Sequence, residues 1–258
     1  LNASIHVALA VVVFAEISIW QLNLNRDLNL YAFLFTATIT AYNFVKFSGI
    51  AKFQFRGLNK RLQQIQIFSF AVIPLMFYFL FQLNLGLFFL ILGLGVLTFL
   101  YAVPLSPKSK NLRNMSGLKV FIIAIVWTGA TVFLPLLSND FDFSNIGPQD
   151  ICYALLRFLL VLVLIIPFEI RDLGWDDAEL KTIPQLFGES KAKIIGSILI
   201  LFAILIEVYF EFYTNSAELA LRYAILLFLL LYSGRQRSRY YTIFWVEALP
   251  LLWWILIL

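Results

Sequence analysis

Cysteine, histidine and charge are all scarce in this chain. Cys152 is the single cysteine among 258 residues and His6 the single histidine. One cysteine excludes an internal disulfide and any cysteine-based metal cage. One histidine, near the start of an apolar run, excludes a histidine-based triad and a two-histidine metal site, and is read as structural or interfacial. Charged residues make up 13% of the chain, against about 25% in an average soluble domain. No carboxylate occurs between Asp27 and Asp140. Hydrocarbon fills the chain instead, with 62% hydrophobic residues and a mean hydropathy of +0.89.

Long apolar runs recur from end to end, which predicts a polytopic membrane protein forming one domain over 1–258. Nine candidate helices lie near 3–20, 30–47, 64–82, 86–103, 118–137, 152–170, 193–213, 217–232 and 240–258. The first lacks a small-residue cleavage site and is read as a helix rather than a signal peptide. Very short connections at 83–85 and 214–216 imply antiparallel hairpins. The fold class expected is an all-α transmembrane bundle. No close internal repeat is visible.

Basic residues set the expected orientation. Of 19 Lys and Arg, 16 lie in or beside the four even-numbered connections: Lys46, Lys52, Arg56, Lys60 and Arg61; Lys108, Lys110, Arg113 and Lys119; Arg171, Lys181, Lys191 and Lys193; Arg235, Arg237 and Arg239. The opposite loops are bare or acidic, as at Asp140, Asp142 and Asp150. The positive-inside rule puts the N-terminus and the basic loops in the cytoplasm and the C-terminus outside. The dense chemistry sits on that cytoplasmic face. The lipid bilayer is the expected surrounding, and no nucleic-acid partner is expected.

That chemistry is concentrated in FEIRDLGWDDAELKTIPQLFG, residues 168–188. Asp172 and Asp176 are spaced i, i+4, so a continuing helix puts them on one face, and Glu169 extends the stripe. Carboxylates in such a row suit Mg²⁺, which takes oxygen ligands, keeps several waters and bridges carboxylates to substrate phosphates. The plainer alternative is a solvated helix end with a local pair such as Arg171 to Asp172. Asp177 and Glu179 point elsewhere on the same helix and are read as solvated.

Two segments carry a family resemblance. RDLGWDDAELKTIPQLFG resembles the second aspartate-rich motif of the UbiA superfamily of intramembrane prenyltransferases, with Arg171, Asp172, Asp176, Lys181, Thr182, Ile183, Pro184 and Gly188 in register. LYAVPLSPKSKNLRNMSGLKV is similar to that family's Tyr-x-x-Pro-Leu-x-x-Lys segment through Tyr101, Pro104, Leu105 and Lys108, with Lys110 and Arg113 close behind. The resemblance implies a helical bundle around a central cavity. It also implies a polyprenyl diphosphate substrate, a membrane-embedded and often aromatic acceptor, and Mg²⁺-assisted ionisation. On that basis Asp172, Asp176 and Glu169 are the candidate Mg²⁺ ligands. Asn43, Lys46, Tyr101, Lys108, Arg113, Arg171 and Lys181 are the candidate substrate contacts.

The family's first motif, Asn-Asp-x-x-Asp-x-x-x-Asp, is broken. Asn43 remains, but Phe44, Phe47 and Ala51 stand at the acidic positions, and no nearby carboxylate can replace them. Three readings follow. Catalysis continues with a single metal site, Lys46 supplying positive charge one turn from Asn43. Alternatively the fold binds an isoprenoid or lipid diphosphate without turning it over, or serves as a structural membrane subunit. Glu16 and Arg157 lie inside apolar spans, where a charge costs about 2.5–3.5 kcal/mol by insertion scales. Each is expected to snorkel, face the cavity or pair. Glu207, Glu211 and Glu247 are assigned no transport role.

Overall fold

The computed structural model describes residues 4–47, 60–104, 111–139, 146–175, 180–213 and 215–257. Among these, all nine apolar segments are helical. The first four are α1 (Ile5–Gln21), α2 (Leu28–Phe47), α3 (Lys60–Leu80) and α4 (Leu87–Ala102). The fifth comprises α5 (Leu118–Thr128), a π-helical stretch at Gly129–Phe133 and α6 (Leu134–Asn139). Then come α7 (Pro148–Asp172), the short α8 (Ile183–Phe187), α9 (Glu189–Tyr209) and α10 (Ser216–Tyr232). The last segment is a π-helical stretch at Tyr241–Val246 followed by α11 (Leu249–Ile257). Five helical segments are long and apolar enough to cross a membrane: Leu28–Lys46, Gln63–Leu80, Leu118–Ser138, Pro148–Asp172 and Glu189–Tyr209.

Local chemistry explains where the ends differ from the apolar pattern. α7 starts four residues before its apolar run because Pro148 fits the first helical turn and Asp150 Oδ2 accepts from the Gly147 N–H at 2.9 Å. At 25 residues it is roughly 37 Å long, more than the ~30 Å hydrocarbon layer, so its polar ends emerge. α9 likewise begins early, at Glu189. Gly188 turns the chain at φ +83°, and the Glu189–Lys193 pair at 2.9 Å supports the first turn.

α7 is the axis of the larger core cluster, packing on α5, α9 and α10. A second cluster joins α1, α2, α4 and α6, and α1 belongs to both through Phe14 and Val11. The outer faces of α3, α4 and α9 present Phe77, Phe89, Leu92, Phe202 and Leu205, apolar groups that lipid solvates as readily as a protein core does.

Polar groups separate by end. One end is tied by Ser4 to Asn43, His6 to the Phe244 carbonyl, Arg171 to Thr242, and the Gly117 N–H to the Leu180 carbonyl. All the described basic connections lie there. The other end holds a buried network centred on Glu207 and Arg222, 0% and 1% exposed. Arg222 Nη2 donates to Glu207 Oε1 at 2.5 Å, Tyr223 Oη to Glu207 Oε2 at 2.6 Å, and Glu218 lies 2.8 Å from Arg222. Gln21 bridges Glu207 and Tyr153. The charges noted inside apolar spans are partnered in the same way. Arg157 donates to Ser18 and Tyr153 and stacks on Phe14 at 4.1 Å, while Glu16 accepts from Arg26 and Tyr31.

Breaking a buried ion pair from one side leaves a charge with no solvent. Glu207→Ala is therefore expected to destabilise the protein by about 3–5 kcal/mol. Replacing the whole charged group, as Glu207→Leu with Arg222→Met and Glu218→Gln, is expected to recover most of that loss. Thermal unfolding in one detergent, compared across the variants, checks the ordering.

Candidate functional site

Four helical segments bring chemistry-bearing side chains together at the basic end. From α7, Arg171 clasps its neighbour, Nε to Asp172 Oδ1 at 2.6 Å and Nη2 to Oδ2 at 2.8 Å. Its third nitrogen, Nη1, donates to Thr242 Oγ1 at 2.7 Å, and the guanidinium lies 5.2 Å above the Phe168 ring. The fork holds α7 against the Tyr241–Val246 stretch. π-helical geometry adds a residue to the turn, as in the Glu247 N–H to Thr242 carbonyl bond at 3.2 Å.

Glu247 follows that stretch. Its half-buried carboxylate lies within electrostatic reach of Lys46 on α2 and Arg171 on α7. Lys46 also feels Arg239, and Tyr42 feels Glu247, Arg171 and Tyr101. Tyr101, buried at the end of α4, completes the group. Cations and phenols from α2, α4 and α7 thus lie within electrostatic reach of a carboxylate on the last segment or of one another.

The predicted residues divide. Lys46, Tyr101 and Arg171 belong to this electrostatic group, and Asp172 joins it through Arg171. Asn43, one turn from Lys46, is buried, accepting from Ser4 Oγ at 2.7 Å and donating to Ser69 Oγ at 2.8 Å. It joins α1, α2 and α3. Glu169 is buried, with Lys119 Nζ 2.9 Å away. Arg113, in the 3-10 turn Leu112–Asn114, is exposed, as is Lys181 at φ +48° just before the Thr182–Gln185 capping box. Asp176 and Lys108 lie outside the described residues, as do Lys52, Arg56, Lys110, Asp177 and Glu179.

Glu247, Tyr42 and Thr242 were not picked out by sequence. The signal for Glu247 was there, a carboxylate inside WVEALPLLWW, and ionisable groups in spans are rare and tend to mark function. It has no acidic partner at helical spacing in its own segment, so pattern reading passed over it.

The donor set can be tested against Mg²⁺. Asp172 fits: its side chain is 28% exposed, and its partner is an adjacent, part-exposed arginine. Glu169 does not fit, being 4% exposed and already matched by a buried ammonium. Among the described residues no three acids, histidines or cysteines cluster.

No protein-family profile and no curated protein sequence matches the chain. Solved structures do. A UbiA homologue from Archaeoglobus fulgidus bound to GPP and Mg²⁺ aligns with TM-score 0.61 at 13% identity, over 99% of this chain and 98% of that one. The same homologue bound to DMAPP and Mg²⁺ gives 0.56 at 14%, over 99% and 97%. A digeranylgeranylglyceryl phosphate synthase gives 0.58 at 14%, over 98% and 93%. Along essentially its whole length, this chain has the fold of the UbiA homologues.

Proposed function

We propose that the chain is a divergent UbiA-type prenyltransferase, which binds a polyprenyl diphosphate at the basic end and passes the prenyl group to a membrane-embedded acceptor. The observation that carries this is the meeting of Lys46, Tyr101, Arg171 and Asp172, from three helices, at one end of an apolar bundle. The solved structures sharing the fold support the substrate class, since one is bound to GPP and another to DMAPP, each with Mg²⁺.

In this reading Arg171 and Lys46 face the oxygens of the diphosphate and stabilise the charge that builds as the C–O bond lengthens. Tyr42 and Tyr101 offer phenol donors to the same oxygens. Asp172 and Asp176 would hold Mg²⁺, whose Lewis acidity assists departure of the diphosphate. The surrounding apolar helices keep water away from the allylic centre. Lys108, Arg113 and Lys181 belong to the connections that would receive the diphosphate from the cytoplasmic side, the side favoured by the charge distribution.

A second reading keeps binding and drops turnover. It is favoured by the sequence, where Phe44, Phe47 and Ala51 stand in place of acids, and by the Asn43 amide, which is engaged by Ser4 and Ser69. The two readings divide on diphosphate release from labelled farnesyl or geranylgeranyl diphosphate supplied with membrane lipid extract. Release supports transfer. Saturable binding without release, across a wide acceptor set, overturns it in favour of binding alone.

Asp172→Ala and Asp176→Ala are each expected to abolish the Mg²⁺-dependent part of prenyl diphosphate binding in folded protein. Unchanged binding in both would sink the metal assignment. Lys46→Ala is expected to weaken binding about 10–100-fold, the range of a charge-assisted hydrogen bond. Glu247→Gln removes an anion that competes for Lys46 and Arg171, so binding should tighten about 3-fold or more. A titration of each variant against labelled diphosphate reads both signs.

A further inference from the structure

A cavity of about 590 Å³ lies apart from the charged cluster, enclosed by α2, α3, α4 and the α5–α6 segment. α3 packs on α2, and α4 packs on α2, α5 and α6. Yet α3 and α4, consecutive in sequence and joined by a short turn, barely touch each other. The gap between them opens the cavity sideways, flanked by the exposed rings of Phe70 and Phe99. In a bilayer that side faces lipid.

The two ends of the cavity differ. Leu34, Leu80, Ile91 and Leu134 line the end remote from the basic connections, whereas Asn43, Gln66, Ser69 and Thr98 line the near end. From Leu34 to Asn43 the rise along α2 is roughly 14 Å, so the space suits an extended hydrocarbon or a ring with a tail. Among the described residues no Lys, Arg, Asp or Glu lines it. A diphosphate would find no counter-charge among the described residues that line it.

The near-end polar groups can be accounted for one by one. Ser69 donates to the Ile65 carbonyl and accepts from Asn43, and Thr98 donates to the Leu94 carbonyl. Gln66 is the exception: its Oε1 is buried with no hydrogen-bond partner among the described residues. An orphaned buried acceptor costs about 1–3 kcal/mol and calls for a donor. A hydroxyl meets the requirement, and satisfies the amide whichever way it is turned.

We infer that this cavity binds a neutral lipid carrying a hydroxyl head, which enters from the bilayer between α3 and α4 and gives its O–H to Gln66. None of Tyr42, Lys46, Arg171, Asp172 or Glu247 lines the cavity, and Asn43, the one candidate substrate contact that does, has its amide engaged by Ser4 and Ser69.

The test uses the full-length protein in lipid nanodiscs with three photoreactive probes of one chain length: a long-chain alcohol, the matching alkane and the matching alkyl phosphate. Saturable labelling of α3 and α4 peptides by the alcohol, displaced by excess unlabelled alcohol, is expected. The alkane should label more weakly and the phosphate weakest of the three. Gln66→Leu should weaken alcohol labelling about 5–10-fold while leaving alkane labelling unchanged. Gly95→Leu, which grows a side chain into open space on the cavity wall, should remove labelling by all three. Lys46→Ala should change none of them. Equal alcohol labelling in Gln66→Leu and the native protein would overturn the inference, as would phosphate labelling that matches or exceeds the alcohol, or labelling that never saturates. Should Gly95→Leu fail to fold, the alcohol-against-alkane comparison in Gln66→Leu decides alone. Prenyl diphosphate binding in Gln66→Leu should stay at the native level, so failure here and failure of the diphosphate reading are separable.

Discussion

Hydrocarbon solvates neither charge nor an open peptide group, and this constraint orders the whole molecule. Backbone polarity is met within helices. Each ionisable side chain drawn below the polar boundary is met by another side chain. Glu207 and Arg222 answer each other at one end; Lys119 and Glu169 do so at the other. Arg157 meets hydroxyls and the face of Phe14. The same rule gives the basic end its interest. There Lys46 and Arg171 lie within electrostatic reach of Glu247, with two phenols nearby, while Arg171 also pairs with its neighbour Asp172. Groups that balance one another in that way can also be rebalanced by an incoming anion.

The fold was readable because the period of the pattern is coarse. Nine apolar runs between polar connections leave little choice other than nine helices, and each is found. The ends were less readable, since they depend on single residues: Pro148 and Asp150 for α7, Gly188 for α9. The π-helical stretches at Gly129–Phe133 and Tyr241–Val246 were invisible, because their apolar residues suit α and π winding equally. Of the candidate site, contiguous motifs pointed to Arg171, Asp172 and Tyr101, and the remnant Asn43 pointed to Lys46 one turn away. Glu247 and Tyr42 were missed because only tertiary packing brings them there. Glu169 shows the reverse failure. Its spacing placed it with Asp172, but burial and Lys119 decided its role.

Thr242 and Arg171 explain how the last segment reaches the site. A π-helical turn widens the helix and carries an extra residue, which shifts the following side chains around the axis. The bond from Arg171 Nη1 to Thr242 anchors that turn to the end of α7. Glu247 follows directly and comes within reach of the cations. A regular α-helix from Tyr241 onwards would direct Glu247 elsewhere. The local irregularity and the position of the carboxylate are one feature seen at two levels.

The change on α2 can then be understood as an exchange of sign rather than a simple loss. Where the UbiA pattern has three acids, this sequence has Phe44, Phe47 and Ala51, with Lys46 between the first two. An acidic α2 would need metal ions before it could face a diphosphate, whereas a lysine can face one directly, with a single charge and fewer contacts than Mg²⁺ provides. That lysine needs a counter-charge when no anion is bound, and Glu247 is within reach to supply it. Cation on α2 and carboxylate on the last segment therefore form a reciprocal arrangement, each making the other tolerable beside the hydrocarbon. On the proposed reading, metal would be needed only at the acidic motif that ends α7.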